Sequence, residues 1–284
     1  MTFEKSKLKQ NEKLGLSNSG HLSLFWVGAG SAFSKINYQT NLLIIKGNSH
    51  VLVDCGTLCP IALWNYGLPV MNVDTFLITH SHADHIGGLE EAMLMGRYVK
   101  KRKPNLIVPY EYRDILWENS LKGGAAYNEL HNGANLQLFN LFNWIEPEKI
   151  MESPRYTWEI QYGEINIKIF RTAHIPDSSH SWADSFFSYG VIIDNAVLFT
   201  SDTRFDRDML DLYIDMYKLE YIFHDCQLFP GGVHASYSEL LTLPESVRKI
   251  MFLSHYGDNF KDFNPVKDGF IGFVEQGTFY NFYK

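Results

Sequence analysis

The segment Thr79–His85 places four potential metal ligands close together, directly after a short apolar run of sequence TFLIT. These ligands are His80, His82, Asp84 and His85. On a loop that leaves a strand, the first two can face one ion and the last two a second ion. Neutral imidazole and carboxylate groups are the ligands that Zn²⁺ and similar metals prefer. We therefore favour a metal site over the alternative, a polar surface loop, and expect other strands to deliver further ligands.

Three further candidates stand where a short apolar strand ends, as His80 does. His174 comes soon after the run INIKIF, Asp202 follows AVLFTS, and His255 follows IMFLS. His180 competes with His174 for the middle position, but it has no strand immediately before it, so we favour His174. Because a carboxylate has two oxygens, Asp202 can bridge two cations, which would then lie about 3.5–4 Å apart.

Composition excludes several classes of protein. Hydrophobic residues make up 45% of the 284 residues, which excludes wholesale disorder. The formal net charge of −7 argues against a broadly basic surface, so we expect no stable nucleic-acid partner. The three cysteines argue against a disulfide framework and fit a reducing compartment. Since the sequence has neither a signal-peptide core nor a run of about 18 apolar residues, it predicts a cytoplasmic protein without a membrane span.

Strand-like segments come in two sets, each followed by helix-like segments. The predicted strands cover residues 21–27, 41–45, 51–54, 75–79 and 106–108, then 156–162, 165–170, 188–193, 197–200, 221–224 and 250–253. The predicted helices cover residues 88–99, 236–243 and 244–248. This order predicts an α+β layered domain with two β-sheets inside and helices outside. We expect residues 1–20 to form a loose, polar lead-in and residues 21–284 to form a single domain.

The ligand motifs together resemble the metallo-β-lactamase superfamily, over nearly the whole chain. The residues that carry this resemblance, in order, are His80, His82, Asp84, His85, His174, Asp202 and His255. The resemblance implies an αββα sandwich, in which two mixed β-sheets are flanked by helices and the metals lie at one edge between the sheets. Asp202-Thr203 is similar to the SDT or GDT motif of the phosphodiesterase branch, which includes the tRNA 3′-end-processing nucleases.

A second resemblance is to the anti-Pycsar cyclic-nucleotide phosphodiesterases. The segments that carry it are 25–33, 119–124, 224–226, 232–237, 241–244, 254–256 and 268–274. Those enzymes open 3′,5′-cyclic nucleotides such as cyclic CMP and cyclic UMP, and so silence a bacterial antiviral signal. The resemblance implies a homodimer with two divalent ions per subunit, for which Zn²⁺ is expected and Mn²⁺ is the alternative. It also implies that a partner-subunit loop helps to hold the nucleotide, and the aromatic-rich insert at residues 110–127 is where we expect that loop. The aromatic residues of this insert could stack on a nucleobase or could equally belong to the core.

Three residues are candidates for roles in catalysis, and the resemblance places a histidine at one of them, position 234. His234 is the candidate general acid that protonates the leaving oxygen, and the alternative is a histidine in the loop before a helix. Asp225 could orient His234 or a metal-bound imidazole, or it could cap the next turn. Asp84 is expected to be both a metal ligand and a proton acceptor near the attacking water.

Three other functions remain open. A tRNA 3′-processing endonuclease of the same fold should carry a long Gly/Pro-rich or basic arm, which this sequence lacks. A non-catalytic, metal-stabilised binding protein is disfavoured because structural zinc sites prefer closed, cysteine-rich tetrahedra. A thioester or lactone hydrolase would explain the metals but not the shared carboxyl-terminal segments.

Overall fold

Two mixed β-sheets of eight strands each dominate the part of the chain described by the computed structural model, residues 1–127 and 129–283. In chain order, the strands are β1 (Thr2–Lys7), β2 (Leu22–Gly28), β3 (Asn41–Lys46), β4 (Ser49–Val53), β5 (Thr75–Leu77), β6 (Asn105–Ile107), β7 (Leu130–His131), β8 (Ala134–Asn135), β9 (Asn143–Ile145), β10 (Glu148–Met151), β11 (Thr157–Tyr162), β12 (Ile165–Arg171), β13 (Tyr189–Ile193), β14 (Val197–Phe199), β15 (Tyr221–Asp225), β16 (Met251–Ser254), β17 (Gly272–Phe273) and β18 (Thr278–Tyr283).

The helices are mostly short. They are α1 (Cys59–Asn65), α2 (Ala83–Ile86), α3 (Leu89–Leu94), α4 (Tyr110–Leu116), α5 (Lys122–Ala125), α6 (Leu138–Leu141), α7 (Arg207–Tyr217), α8 (Tyr237–Leu240) and α9 (Glu245–Arg248). Two π-helical segments, Met95–Lys100 and Trp117–Leu121, continue α3 and α4. Val70–Asn72 and Phe260–Asp262 are 3₁₀ turns. None of the helices in the described residues is long and apolar enough to cross a membrane.

The described residues divide into two compact units, each built around one sheet. The first unit comprises Thr2–Gly28, Gln39–Pro147 and Gly277–Lys284, and the second comprises Met1, Ala29–Tyr38 and Glu148–Gln276. The expectation of a single domain over residues 21–284 therefore stays a prediction.

The sheet of the first unit has the strand order β1-β18-β2-β3-β4-β5-β6-β9. Pairing is antiparallel from β1 to β4 and parallel from β4 to β9. Gly47 and Asn48 connect β3 to β4, and Gly47 has the positive φ of 56° that a two-residue hairpin turn requires. The buried apolar runs at the ends of β4 and β5 are typical of parallel strands covered on both faces.

The sheet of the second unit follows the chain order from β10 to β17. Pairing is antiparallel from β10 to β14 and parallel from β14 to β17. Because parallel strands run in the same direction, β14, β15 and β16 end at the same edge of this sheet. Residues that follow these strands are therefore brought close together.

The structure agrees with most of the predicted elements and corrects several. Residues 1–20 are not all a loose lead-in, because Thr2–Lys7 pairs with β18 through backbone hydrogen bonds while most of its side chains stay exposed. The predicted helix 88–99 is α3 followed by a π-helical segment, and the predicted helix 236–243 is the shorter α8. The structure adds α1, α7 and β18, which the sequence analysis did not predict.

Candidate functional site

The four candidate ligands of the first unit lie on the segment that connects β5 to α2 and on α2 itself. His80 Nε2 lies 3.1 Å from His82 Nδ1, and His85 Nε2 lies 3.2 Å from an Asp84 carboxylate oxygen. The rings of His80 and His85 have centroids 4.0 Å apart. His80, Asp84 and His85 are buried, and His82 is half-buried. The structure thus gathers these four side chains, as the sequence predicts.

Asp54, which directly follows β4, holds both ends of this ligand segment. Its carboxylate accepts hydrogen bonds from the Thr79 backbone N–H at 2.8 Å, from the Thr79 hydroxyl at 2.7 Å and from His85 Nδ1 at 2.7 Å. Burial raises the pKa of Asp54, and His85 and Thr79 oppose that rise. Asp54 is not among the site residues predicted from the sequence. The sequence feature that could have identified Asp54 is its position at the end of the strand VLVD, which pairs with the strand that precedes His80.

The second unit gathers five predicted site residues, four of which follow or end strands of the sheet. His174 follows β12, Asp202 follows β14, Asp225 ends β15 and His255 directly follows β16. His234 lies on the loop between β15 and α8. The possible ligand atoms of Asp202, Asp225, His234 and His255 all lie within 4.8 Å of one another. Asp202 is 3.6 Å from His174 Nε2 and 3.5 Å from His255 Nε2.

Asp225 contacts two of these histidines. One carboxylate oxygen accepts a hydrogen bond from His234 Nδ1 at 2.7 Å, and the other lies 3.4 Å from His255 Nδ1. Burial alone would raise the pKa of Asp225, but His234 and His255 hold it below its ordinary value. Burial lowers the pKa of His234, but the Asp225 carboxylate outweighs this effect and the pKa of His234 is raised. The same carboxylate also accepts a hydrogen bond from the Thr203 backbone N–H at 2.9 Å. The orienting role of Asp225 stays a prediction.

The histidines share an orientation that suits metal ligands. In His80, His85, His174 and His255, Nδ1 lies 2.7–3.4 Å from a protein oxygen. That contact fixes the ring and leaves Nε2 directed at another candidate ligand, as is usual for histidines that bind metals. Burial lowers the pKa of His174 to about 4, so its imidazole is neutral at pH 7, the form that binds a cation. Together with the buried carboxylates, these donors fit divalent metal ions.

The two candidates for the middle ligand differ in their surroundings. His174 is fully buried and donates from Nδ1 to the Val233 carbonyl oxygen at 2.9 Å. The His180 side chain is 91% exposed, and its Nδ1 lies 3.4 Å from an Asp184 carboxylate oxygen. The geometry therefore favours His174, as the strand pattern did.

A cleft of about 1290 Å³ in the second unit borders His234. Its walls include Arg155, Arg204, Trp182 and the exposed acidic face of α7. A space of this size exceeds that of a typical small-molecule site, roughly 300–1,000 Å³.

The aromatic-rich insert at residues 110–127 contains both core and surface residues. Tyr112 and Trp117 are buried, whereas Tyr110 and Tyr127 are 55% and 68% exposed. Exposed rings are available to stack on a ligand, but the insert lies in the first unit and a role in nucleotide binding stays a prediction.

Comparison with known proteins places the chain in one family. Residues 22–280 match the family model described as anti-Pycsar protein Apyc1. The chain is 40% identical over 259 residues to the anti-Pycsar protein Apyc1 of Bacillus phage BSP38, covering 89% of this chain and 96% of that protein. It is 35% identical over 264 residues to the Paenibacillus xerothermodurans protein of the same name, covering 92% and 98%.

Solved structures of low sequence identity show the same fold. The metallo-β-lactamase fold protein YhfI of Bacillus subtilis matches with a TM-score of 0.63 at 16% identity, covering 92% of this chain and 99% of that one. Short-form human tRNase Z matches with a TM-score of 0.59 at 16% identity, covering 89% and 96%. The predicted metallo-β-lactamase fold class is thereby confirmed. With a family model that spans nearly the whole chain and relatives that are 30–40% identical, the chain belongs to the anti-Pycsar protein Apyc1 family.

Proposed function

We propose that this chain is a metal-dependent phosphodiesterase that hydrolyses 3′,5′-cyclic nucleotides to 5′-mononucleotides. The substrates would include cyclic CMP, UMP, AMP and GMP, and their hydrolysis would counter Pycsar signalling in an infected bacterium. The observation that carries the proposal is the match of residues 22–280 to the anti-Pycsar family. The histidine and aspartate groups of both units support it, because they fit the metal ions that such a hydrolase needs.

The proposed metal ligands are those predicted from the sequence: His80, His82, Asp84, His85, His174, Asp202 and His255. Two divalent ions, Zn²⁺ in the first instance and Mn²⁺ as the alternative, would bind to them. When bound, such ions neutralise the charge of the phosphate and make water a competent nucleophile near pH 7. The Asp84 carboxylate is proposed both as a ligand and as the group that accepts a proton from the attacking water.

His234 is proposed to supply the proton that the leaving alkoxide oxygen needs. Its Nδ1 is held by Asp225, so Nε2 is the nitrogen that can donate to the substrate. The raised pKa of His234 increases the fraction of the imidazole that is protonated at neutral pH. His234 also borders the cleft, and its side chain is 20% exposed, so a substrate can reach it.

The proposal includes two further properties, the first implied by the family resemblance and the second by the composition of the sequence. The enzyme would act as a homodimer, with a partner loop that holds the nucleotide, and it would work in the cytoplasm, where cyclic nucleotide signals are found. The size-exclusion profile of the purified protein measures the first of these properties directly.

The test is an incubation of the purified, metal-analysed protein with the four cyclic nucleotides, beside a 3′-extended tRNA precursor. We expect chromatography to show 5′-mononucleotides and an intact tRNA. His80→Ala and Asp202→Ala should abolish hydrolysis and lower the bound metal. His131→Ala is the matched control, because His131 lies exposed on β7 and belongs to neither group of candidate ligands.

Cleavage of the tRNA with the cyclic nucleotides intact would contradict the proposal and favour the processing nucleases. An active His80→Ala variant without metal would contradict the proposed ligand set.

A further inference from the structure

Tyr112 connects helix α4 to the middle of the ligand segment in the first unit. Its side chain is fully buried, and its hydroxyl lies 2.6 Å from the Ser81 hydroxyl. Ser81 is the single residue between His80 and His82. Burial raises the pKa of the Tyr112 phenol far above its ordinary value, so the hydroxyl keeps its proton and remains able to donate.

Contacts from the turn after β4 hold the two ends of the ligand segment. Asp54 holds Thr79 and His85, as described above. Near the helical end, the Thr57 hydroxyl donates to the Ala83 carbonyl oxygen at 2.9 Å, and the Cys55 N–H donates to the His85 carbonyl oxygen at 2.7 Å. All of these contacts come from residues 54–57, which directly follow β4. Tyr112 reaches the segment from a different element and at a different point.

The position of Ser81 sets the relative direction of the two imidazoles. His80 and His82 are one residue apart, so a change in the backbone at Ser81 rotates one ring relative to the other. The present geometry brings His80 Nε2 to 3.1 Å from His82 Nδ1, a separation at which both nitrogens can face one cation. A hydrogen bond between Ser81 and the hydroxyl of a fully buried tyrosine restrains Ser81 more than a bond to a mobile surface group, because packing fixes the ring.

We propose that Tyr112 is a positioning residue for the metal site: by holding Ser81, it fixes the directions of the His80 and His82 imidazoles toward a shared divalent ion. This inference rests on the proposed metal site and does not depend on which substrate is hydrolysed. Groups that orient metal ligands through a hydrogen bond commonly change metal affinity by 10–100-fold when they are removed. Because Tyr112 acts through Ser81 and not directly on an imidazole, we expect a change near 10-fold.

The test compares Tyr112→Phe with Tyr213→Phe in the full chain. Tyr213 is an equally buried tyrosine, whose hydroxyl lies 2.8 Å from the Thr157 hydroxyl in the second unit. Each variant loses one contact between two hydroxyl groups and keeps the ring, so both should lower the melting temperature by about 2–4 °C. Competition between the protein and a chromophoric chelator for Zn²⁺ should show about 10-fold weaker binding for Tyr112→Phe and wild-type binding for Tyr213→Phe.

A double-mutant cycle with Ser81→Ala isolates the contact itself. Ser81→Ala should weaken Zn²⁺ binding about as much as Tyr112→Phe, and the double variant should be no weaker than either single variant. Wild-type Zn²⁺ affinity in Tyr112→Phe, or equal losses in Tyr112→Phe and Tyr213→Phe, would overturn the inference. A wild-type protein that binds no divalent metal would overturn the metal site together with this role, whereas failure to hydrolyse cyclic nucleotides would overturn only the proposed substrate.

Discussion

Two buried aspartates set the orientation of histidines in the same way, one in each unit. Asp54 accepts a hydrogen bond from His85 Nδ1 at 2.7 Å, and Asp225 accepts one from His234 Nδ1 at the same distance. Each aspartate stands at the carboxyl end of a strand next to a strand that delivers a candidate ligand. A carboxylate in this position selects the tautomer and orients Nε2 for metal binding or proton transfer.

The His234→Ala variant tests whether His234 Nε2 serves in proton transfer or in metal binding. If His234 is the general acid, its removal should lower the turnover number about 10²–10⁴-fold, the range that acid catalysis contributes. Metal content should stay near the wild-type value, because His234 is not among the proposed ligands. Kinetics on a cyclic nucleotide, combined with metal analysis of the same preparation, measures both quantities. Loss of metal in this variant would instead assign His234 a structural role at the metal site.

The sequence predicts some of these residues and not others, for a physical reason. His80, His174, Asp202 and His255 were found because each follows a short apolar strand, which is a local pattern. The contact of Asp54 with His85 joins the turn after β4 to helix α2, and the contact of Tyr112 with Ser81 joins helix α4 to a loop. Asp54 also ends a short apolar strand, but the partner that it contacts, like the partner of Tyr112, depends on tertiary packing and is not given by the local pattern.

At the scale of elements, several of the strands that deliver site residues end in a strained backbone. Asp54 and His255 directly follow β4 and β16 with φ values of 65° and 60°, and Ser201, just before Asp202, has a φ of 50°. A left-handed conformation costs a non-glycine residue roughly 1–2 kcal/mol. The hydrogen bonds of the flanking strands offset this cost and hold the chain in a sharp turn. Strain of this kind is concentrated at functional sites in many proteins.

Close packing between two elements of the first unit gives a sharp prediction at Gly56. A Cβ atom at this position would lie 1.9 Å from the Asp84 carbonyl oxygen and 2.5 Å from its carbonyl carbon. Since this neighbour is backbone, Gly56→Ala must displace the turn after β4 or helix α2. We expect a loss of about 2–3 kcal/mol in the free energy of unfolding, at the upper end of the overpacking range, and reduced metal binding.

Gly123→Ala is the matched control for Gly56→Ala. Gly123 lies in α5, and a Cβ atom there would meet nothing within 4 Å. Alanine in a helix is more favourable than glycine by roughly 0.5–1 kcal/mol, so this variant should be neutral or slightly more stable. Urea denaturation and metal analysis of the three proteins check both expectations. Equal stability of Gly56→Ala and the wild type would show that the turn and α2 can move apart freely.

At the scale of the whole molecule, the first sheet is completed by strands from the two ends of the chain. β1 (residues 2–7) pairs with β18 (residues 278–283), and β18 also pairs with β2. The side chains of β1 are mostly exposed and polar, so the segment TFEKSK carries no apolar pattern that predicts a strand. Interior strands such as β4 and β5 could be predicted because burial on both faces demands continuous apolar runs. The interior strand β18, in which buried residues alternate with more exposed ones, was not predicted. The edge strand β1 could not be predicted from its side chains, because only backbone pairing with β18 holds it in the sheet.

The free energy of unfolding should depend on pH through His50, a buried residue of β4. The Nε2 atom of His50 accepts a hydrogen bond from the Asp74 backbone N–H at 3.0 Å. Burial, with a smaller contribution from the Arg102 charge, lowers the pKa of His50 to about 4 in the folded chain. In the unfolded chain the pKa is near the ordinary value of about 6.5. Between these two values the unfolded state binds a proton that the folded state does not, so the free energy of unfolding falls as the pH falls.

The size of the His50 effect follows from the difference between the two pKa values. Above about pH 6.5, protonation of His50 does not lower the free energy of unfolding. As the pH falls from about 6.5 to about 4, the free energy of unfolding decreases progressively, by roughly 3 kcal/mol in all. His50→Gln keeps a hydrogen-bond acceptor but does not titrate, so its unfolding free energy should fall less over this window. Urea denaturation at pH 7.5, 6 and 5, with EDTA present so that metal release does not contribute, measures the difference. If the wild type and His50→Gln lose stability in parallel, then protonation of His50 is not coupled to unfolding, and the acid sensitivity of the fold arises from other groups.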